Sequence, residues 1–418
     1  MIACPFEKAV MNHLSVERLH ALDAVRAFAL ILGIVFHTTL SFLPSPTQWI
    51  VLDNDRSTAL ALLFFVLHMF RMTIFFLIAG FFGRLLLERR GTTDFALDRL
   101  KRIALPLVIG WPLLFGTIAA VAIWAAWIAT DGDLSKAPRL PTDHSRGAFP
   151  LAHLWFLYLL LWMYVAALTV RTVVQRLDPR GRLCQFSDRA LRALLESPTA
   201  AFVLAAPLAA MFFFGPPWTV WTGVPTPDKS LIPDLAAVIA YGLAFALGWG
   251  LQRQPELMQR WQKRWLSNLA LALVGTLAAL WLAGPASSVV EAPPPDWRRA
   301  AAAGFYTVTM WSWSFALIGL ALRFLSDFSA WRRYAADASY WLYLIHLPLI
   351  MALQVAVARF PWPWWIKFPL ILSVAFPLML ASYQLMVRHT WLGAVLNGRR
   401  VPRSPGALAG IPGITSSN

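Results

Sequence analysis

The chain has 418 residues, of which 58% are hydrophobic and 14% are charged, and its formal net charge is +15. Water-soluble domains carry about 25% charged residues, so the composition excludes a water-soluble globular protein. The apolar residues occur in long blocks, which is typical of a polytopic membrane protein. We therefore predict an all-α fold of about ten transmembrane helices.

The first apolar block is too long for a signal peptide and lacks a small-residue cleavage site, so we expect it to remain as a transmembrane helix. It follows an N-terminal segment, 1–23, and opens one transmembrane domain, 24–396. The tail, 397–418, is rich in Gly, Pro and Ser and is predicted to be disordered. The ten predicted spans are residues 24–43, 58–87, 102–129, 152–175, 198–214, 233–251, 266–284, 302–325, 338–358 and 366–388.

Basic residues are distributed unevenly between the two sides of these spans. One side contains 25 of the 36 Lys and Arg residues, and the other side contains nine. Because basic residues concentrate in cytoplasmic segments, we predict that both termini are cytoplasmic. The charge also attracts anionic lipid on that leaflet. The lipid bilayer is therefore a predicted partner and nucleic acid is not, while the oligomeric state is left open.

The two cysteines, Cys4 and Cys184, both fall on the predicted cytoplasmic side. They form neither a disulfide framework nor a CxxC pair, and no two histidines have the HxxxH or HExxH spacing of a zinc site. We therefore predict no metal site.

The first span carries an arginine and a histidine on one face. Arg26 and His37 are eleven residues apart, close to three helical turns, and Asp23 lies on nearly the same side. An imidazole within the bilayer is costly, so its default interpretation is functional. We predict that His37 is a general base for a hydroxyl group, that Asp23 orients Arg26, and that Gly33 leaves His37 unshielded. The alternative is a buried histidine bonded to a neighbouring helix.

The second span contains His68 and Arg71, which share a helix face at i, i+3 spacing. Arg71 keeps its charge in the membrane and therefore requires an anion. One interpretation is a structural ion pair, for example with Asp23. The other is a guanidinium fork that binds a carboxylate or a phosphate of a donor substrate.

The third span begins with Arg99 and Arg102, again at i, i+3 spacing. Their usual explanation is positive-inside topology, but they also suit the phosphates of a nucleotide-bearing donor. His153 and Trp155 open the fourth span as an interfacial anchor or as contacts for an acceptor. In the ninth span, Tyr343 shares a face with His346, whose role is either structural or functional.

Together these segments resemble the membrane acyltransferase-3 family. The resemblance covers nearly all ten spans, and its motifs are Arg26 to His37, Arg71 with Phe75, Phe76 and Gly80, Arg99 and Arg102 with Pro106, and Ser339 to Pro348. Within the family, three segments look most like the branch that modifies osmoregulated periplasmic glucans: those from His68 to Met72, from His153 to Leu157 and from Tyr343 to Pro348. This implies a bacterial inner-membrane O-acyltransferase that uses succinyl-CoA as co-substrate, needs no cofactor, and acylates a hydroxyl of a periplasmic β-glucan.

Acyl transfer from a thioester to an alcohol needs a base on the alcohol and positive charge near the developing oxyanion. The predicted site therefore has three sets of residues. They are catalytic His37 and Asp23; donor-binding Arg26, His68, Arg71, Arg99 and Arg102; and acceptor-binding His153, Trp155, Tyr343 and His346.

The rival hypothesis is a transporter or flippase, because intramembrane Arg and His residues also serve transport.

Overall fold

The computed structural model describes residues 16–44, 49–136, 149–286 and 295–397. Residues 1–15 of the predicted N-terminal segment and residues 398–418 of the predicted tail lie outside the described residues. Within the described ranges the chain is helical and contains no β-strand, which confirms the predicted all-α class. Its helices are α1 Val16–Thr39, α2 Thr58–Arg99, α3 Leu105–Ala129, α4 Trp155–Leu177, α5 Arg182–Glu196, α6 Ala200–Phe214, α7 Leu235–Leu251, α8 Met258–Lys263, α9 Trp265–Ala283, α10 Trp297–Phe324, α11 Ala330–Ala358, α12 Trp364–Ser382 and α13 Trp391–Asn397.

Each of the ten predicted spans coincides with a helix. By length and composition, the described part of the chain has seven stretches able to cross a membrane, or up to nine if each of two bent helix pairs is one span. One of the seven is the 72-residue stretch Thr58–Ala129. At about 1.5 Å per residue it would extend roughly 108 Å, more than three times the hydrocarbon core. It consists of α2 and α3, joined by a π-helix at Leu100–Ala104, so we count it as two spans.

Two of the predicted spans are shorter than a full crossing. Helices α6 and α7 have 15 and 17 residues, against the roughly 20 that cross a bilayer perpendicularly. Each is bent sharply against a neighbouring helix, by 105° between α5 and α6 and by 111° between α7 and α8. The bundle therefore contains two short membrane helices whose neighbours turn away from them.

Helices α2 and α7 pack with their backbones in contact, and two glycines allow this. A Cβ atom at Gly80 would lie 2.1 Å from the carbonyl oxygen of Phe245, and one at Gly248 would lie 1.8 Å from that of Leu77. Small residues at such crossings are characteristic of membrane helix packing. Because α2 carries His68 and Arg71, this contact helps to set the position of both side chains.

We expect Gly248→Val to lower the melting temperature of the detergent-solubilised protein, because the added side chain must push α2 and α7 apart. Overpacking of this kind costs about 1–3 kcal/mol. Gly116→Val in α3 is the matched control, since a Cβ atom at this glycine would have no heavy atom within 4 Å. Equal melting temperatures for the two variants would contradict the proposed backbone contact.

Two buried basic side chains, Lys367 and Arg299, connect helix ends to neighbouring segments through an ion pair and hydrogen bonds. Lys367 Nζ lies 2.8 Å from Asp53 Oδ2, and both side chains are almost fully buried, which joins the start of α12 to the segment between α1 and α2. Arg299 donates to the carbonyl oxygens of Phe212, Gly215 and Pro216, where α6 ends and its last carbonyls have no helical partner. Both contacts satisfy a buried charge and are structural.

Candidate active site

A cavity of about 790 Å³ runs through the bundle between α1, α2, α4 and α11. It begins among arginines at the predicted cytoplasmic ends of these helices and reaches a histidine cluster near the other end of α1. Asp23 and His37 mark the two ends, and 14 residues of helix place them about 21 Å apart along the axis. All eleven residues that the sequence singled out line this cavity: Asp23, Arg26, His37, His68, Arg71, Arg99, Arg102, His153, Trp155, Tyr343 and His346.

Three histidines from separate segments lie together at the end of the cavity that is farther from the predicted cytoplasmic side. His37 lies in the last turn of α1, and its ring centroid is 5.1 Å from that of His346. The ring of His153 is likewise 5.1 Å from His346. His37 Nδ1 is buried without a hydrogen-bond partner, so this nitrogen does not make the helix-to-helix bond of the structural alternative. No group of His, Cys, Asp and Glu side chains in the described ranges has an arrangement that suits a metal ion.

The backbone sets the neutral tautomers of two of these histidines. His346 Nδ1 lies 2.7 Å from the Tyr343 carbonyl oxygen, and His153 Nε2 lies 3.0 Å from that of Leu344. A carbonyl oxygen only accepts, so these nitrogens carry the hydrogen. In the neutral rings, His346 Nε2 and His153 Nδ1 therefore hold the lone pairs, and His153 Nδ1 is buried with no partner. Both residues line the cavity, so the cluster contains two nitrogens that can accept a proton.

Arg71 is a buried cation without a carboxylate. Its residue is only 6% exposed, its guanidinium carbon lies 3.9 Å from the centre of the Phe36 ring, and its Nη1 has no hydrogen-bond partner. The suggested ion pair with Asp23 is wrong, because Asp23 pairs with Arg26 and Arg333, each at 3.3 Å. No carboxylate in the described ranges is within ion-pair distance of Arg71, so the guanidinium faces the cavity uncompensated.

Gly33 lies against the Arg71 side chain, a neighbour that the sequence did not show. A Cβ atom at this position would lie 3.8 Å from Arg71 Cδ, an ordinary van der Waals contact, and the exposure of His37 that we expect from this glycine stays a prediction. Asp23 lies far from the predicted chemistry, about 21 Å along α1 from His37. It can orient Arg26, as predicted, but it cannot contact atoms that react at His37.

His68 is surrounded by aromatic rings and by the loop that precedes α7. Its ring stacks on Phe36 and Phe64, with centroid distances of 5.6 and 5.7 Å. Gly223, in the loop before α7, has φ +56°, and a Cβ there would lie 2.6 Å from His68 Nδ1. The same loop supplies Thr226 to the cavity wall. Nothing in the local sequence pattern connects this loop to the second span, so sequence reasoning missed it.

The predicted cytoplasmic end of the cavity is strongly basic. Asp98 forms ion pairs with three arginines: its oxygens lie 2.5 Å from Arg99 Nη2, 3.1 Å from Arg102 Nε and 3.3 Å from Arg90 Nη1. One carboxylate facing three guanidinium groups leaves an excess of positive charge. The sequence predicted Arg99 and Arg102 here but missed three further arginines that line the cavity. Two of them are adjacent and directly precede Gly91, where the backbone leaves helical geometry, and this adjacent pair could have indicated a basic site. The missed arginines are Arg89, Arg90 and Arg333.

The predicted acceptor-binding residues lie together, but only some of their polar atoms are free to form a hydrogen bond with a substrate. His153 is buried against Leu344 and is therefore not the interfacial anchor of the alternative interpretation. The Tyr343 hydroxyl donates to the His153 carbonyl oxygen at 2.6 Å, so its hydrogen is already used. Trp155 is mostly buried and stacks on Tyr241 at 5.6 Å. Of this set, His153 and His346 present unpaired nitrogens.

Gln354 of α11 is a positioning residue that sequence reasoning missed. Its Nε2 donates to the carbonyl oxygens of His37 and Thr38, at 3.2 and 3.1 Å, and its Oε1 accepts from Trp49 Nε1 at 2.8 Å. The last carbonyls of a helix have no helical partner, and Gln354 satisfies two of them at the end of α1. It thereby holds the turn that carries His37.

We expect Gln354→Leu to reduce the turnover rate by about 10-fold, because leaving buried carbonyls unpaired costs about 1–3 kcal/mol and loosens the turn that carries His37. The donor KM should change little, since the basic end of the cavity is untouched. Steady-state acyl transfer by purified protein tests this, with Leu353→Met on the adjacent position as control. A rise in donor KM with unchanged turnover would contradict the positioning role.

Comparison with known proteins places most of the chain in one family. The acyltransferase-3 family model, an acyltransferase domain, matches residues 19–384. The chain belongs to the acyltransferase-3 family. This confirms the resemblance inferred from the motifs and supports a membrane acyltransferase.

Curated relatives match a smaller part of the chain. The glucans biosynthesis protein C of Escherichia coli strain SMS-3-5 is 32% identical over 154 residues, which are 37% of this chain and 39% of that protein. Its counterpart from strain HS is 31% identical over 154 residues, with the same coverage. The chain thus matches well under half the length of these relatives. No solved structure matches it.

Proposed function

We propose that this protein transfers a succinyl group from cytoplasmic succinyl-CoA to a hydroxyl of a periplasmic β-glucan in the bacterial inner membrane. Family membership supports membrane acyl transfer, and the name of the relatives supports a glucan acceptor. The observation that carries the proposal is the continuous cavity that joins the arginine cluster to His37. Such a cavity suits a donor that enters from one side and reacts near the other.

The basic end of the cavity is the proposed site for the phosphates of coenzyme A. A guanidinium group can bind two phosphate oxygens with two parallel hydrogen bonds. Ion pairs with Asp98 fix the positions of the Arg99 and Arg102 side chains. Asp98 neutralises only part of their charge together with that of Arg90. Arg26, oriented by Asp23, lies between this cluster and His37 on the same helix and is placed to guide the donor inward.

Arg71 is the proposed site for the free carboxylate of the succinyl group. A buried charge without a partner is strongly unfavourable, by several kcal/mol, and the described structure supplies no carboxylate for it. A dicarboxylic acyl group brings one. The contact would also hold the acyl group in a fixed position while the thioester carbonyl reacts.

In the proposed reaction, His37 takes the proton from the acceptor hydroxyl as the oxygen attacks the thioester carbonyl. The carbon–sulfur bond of the tetrahedral intermediate then breaks. The coenzyme A thiolate leaves with the proton that His37 received, and the products are an ester and a free thiol. The acceptor is proposed to lie against His153, Trp155, Tyr343 and His346, with His68 on the donor side.

The test uses purified full-length protein in detergent, succinyl-CoA and a short β-linked glucose oligosaccharide. We expect release of free coenzyme A thiol and an oligosaccharide whose mass increases by one succinyl group. Periplasmic glucans from cells with and without the protein should differ by the same mass. If the cells export glycans but the purified protein consumes no acyl-CoA, the transporter hypothesis replaces the proposal.

A further inference from the structure

We propose that His346 shares the catalytic proton with His37, so that a neutral imidazole stands where acid–base triads usually have a carboxylate. This inference rests on the proposed function of the site and deepens it, because it gives His346 a role in the proton transfer beyond contact with the acceptor. It is carried by the position of the two rings, by the tautomer of His346 and by the absence of a carboxylate at His37 within the described residues.

The imidazole rings of His37 and His346 are close neighbours in the cavity. The centroids of His37 and His346 are 5.1 Å apart, with the ring planes inclined by 48°. Among the described residues the two rings make no direct hydrogen bond, and His37 Nδ1 has no partner; the spacing suits one bridging water. The Nδ1–H group of His346 is directed to the Tyr343 carbonyl oxygen, so the lone pair of the neutral ring lies on Nε2. His346 is therefore held as a proton acceptor.

His37 has no carboxylate partner among the described residues. A general base that receives a proton becomes an imidazolium ion, which in acid–base triads is stabilised and oriented by a carboxylate. In the part of the chain that the structure describes, no carboxylate makes an ion pair with His37. The ring neighbours of His37 are Phe36, Trp49 and His346, and of these only His346 can accept a proton.

A carboxylate would be unsuitable beside His37, because Arg71 is close. The Phe36 ring is 5.1 Å from that of His37 and is covered on another side by the guanidinium group of Arg71. An aspartate or glutamate beside His37 would lie about one aromatic ring away from this cation, and its charge would act on the guanidinium through the low-dielectric interior. That would weaken the positive potential proposed to bind the succinyl carboxylate. A neutral imidazole stabilises the proton without competing for Arg71.

The proton balance follows from these positions. The acceptor hydroxyl gives its proton to His37 as the new carbon–oxygen bond forms, and the imidazolium proton is shared with His346 Nε2 while the tetrahedral intermediate exists. When the carbon–sulfur bond breaks, the proton returns through His37 to the departing thiolate. His153, whose ring centroid is 5.1 Å from that of His346, adds a third ring that can stabilise the positive charge.

The test compares His346→Asn with the wild type, using the full-length protein, succinyl-CoA and a β-linked glucose oligosaccharide. Asparagine has an N–H group for the Tyr343 carbonyl oxygen but no basic nitrogen. We expect turnover to fall by about 100-fold, the lower end for acid–base catalysis, while KM for donor and acceptor changes less than about 3-fold. The matched control is His389→Asn, outside the cavity, which should leave turnover unchanged.

A second variant separates proton sharing from packing. In His346→Ala, added imidazole is expected to restore a measurable part of the turnover, whereas pyrazole, which has the same shape but is a much weaker base, is expected not to. Equal rescue by both rings, or no rescue by imidazole, would show that His346 has no proton role. Unchanged turnover of His346→Asn, or a rise in acceptor KM alone, would also overturn the proposal.

These outcomes are distinct from failure of the proposed function. If the wild-type protein transfers no acyl group from any acyl-CoA, the acyltransferase proposal itself is wrong. If the wild type is active and His346→Asn matches it, only the shared proton is wrong and the role of His37 stands.

Discussion

Replacing His37 by alanine is expected to abolish acyl transfer while the protein still folds and inserts into the membrane. General acid–base catalysis contributes about 10²- to 10⁴-fold to a rate, and no other ring of the cluster occupies the end of α1. The side chain is only half-buried and its Nδ1 has no hydrogen-bond partner, so its removal breaks no such bond at that atom. Coenzyme A release per mole of purified protein measures the loss.

The cellular form of this experiment uses cells that carry only the His37→Ala variant. Their periplasmic glucans should lack the negative charge that succinyl groups add, as measured by anion-exchange chromatography. His389→Ala, which removes a histidine outside the cavity, should leave the glucan charge normal. Normal charge with His37→Ala would rule out the role of His37 as the base.

The second large effect is expected for Arg71→Lys, which keeps the charge but loses the planar fork. A bidentate guanidinium–carboxylate pair has two charge-assisted hydrogen bonds and a geometry that an ammonium group cannot reproduce. A hydrogen bond to a charged group is worth about 1.5–3 kcal/mol. We therefore expect kcat/KM with succinyl-CoA to fall by about 10- to 100-fold, and the value with acetyl-CoA, which has no free carboxylate, to fall much less.

Arg89→Lys provides the matched control for this comparison. Arg89 lines the basic end of the cavity, where both donors present the same coenzyme A phosphates, so its substitution should affect the two donors equally. An equal loss with both donors for Arg71→Lys would mean that Arg71 does not recognise the acyl carboxylate. Its unpaired charge would then need another explanation.

The spans and the spacing of residues on single helices followed from the sequence. Hydrophobic segments long enough to cross a bilayer are visible without knowledge of their neighbours, and helical periodicity places Arg26 with His37 and His68 with Arg71. These pairs indeed line one cavity. The helix ends were less predictable, since α1 begins at Val16, eight residues before the predicted span.

Contacts between distant segments did not follow from the sequence. Asp23 pairs with Arg333, and Gln354 holds the carbonyl oxygen of His37, although more than 300 residues separate the members of each pair. The sequence also did not show that Arg71 lies beside Gly33, because the side chain that fills the space beside a glycine depends on the helix that packs against it.

The sequence by itself therefore determined the class of protein, the helices and the residue types available for acyl transfer, because membrane insertion and helical periodicity are local properties of the chain. The tertiary structure decided which charges are neutralised and which remain free. It paired Asp23 with Arg26 and Arg333 and, among the described residues, left Arg71 without a carboxylate. It also brought His37, His153 and His346 into one cluster. These outcomes depend on how separate helices pack, and a pattern read along one helix contains no information about its neighbours.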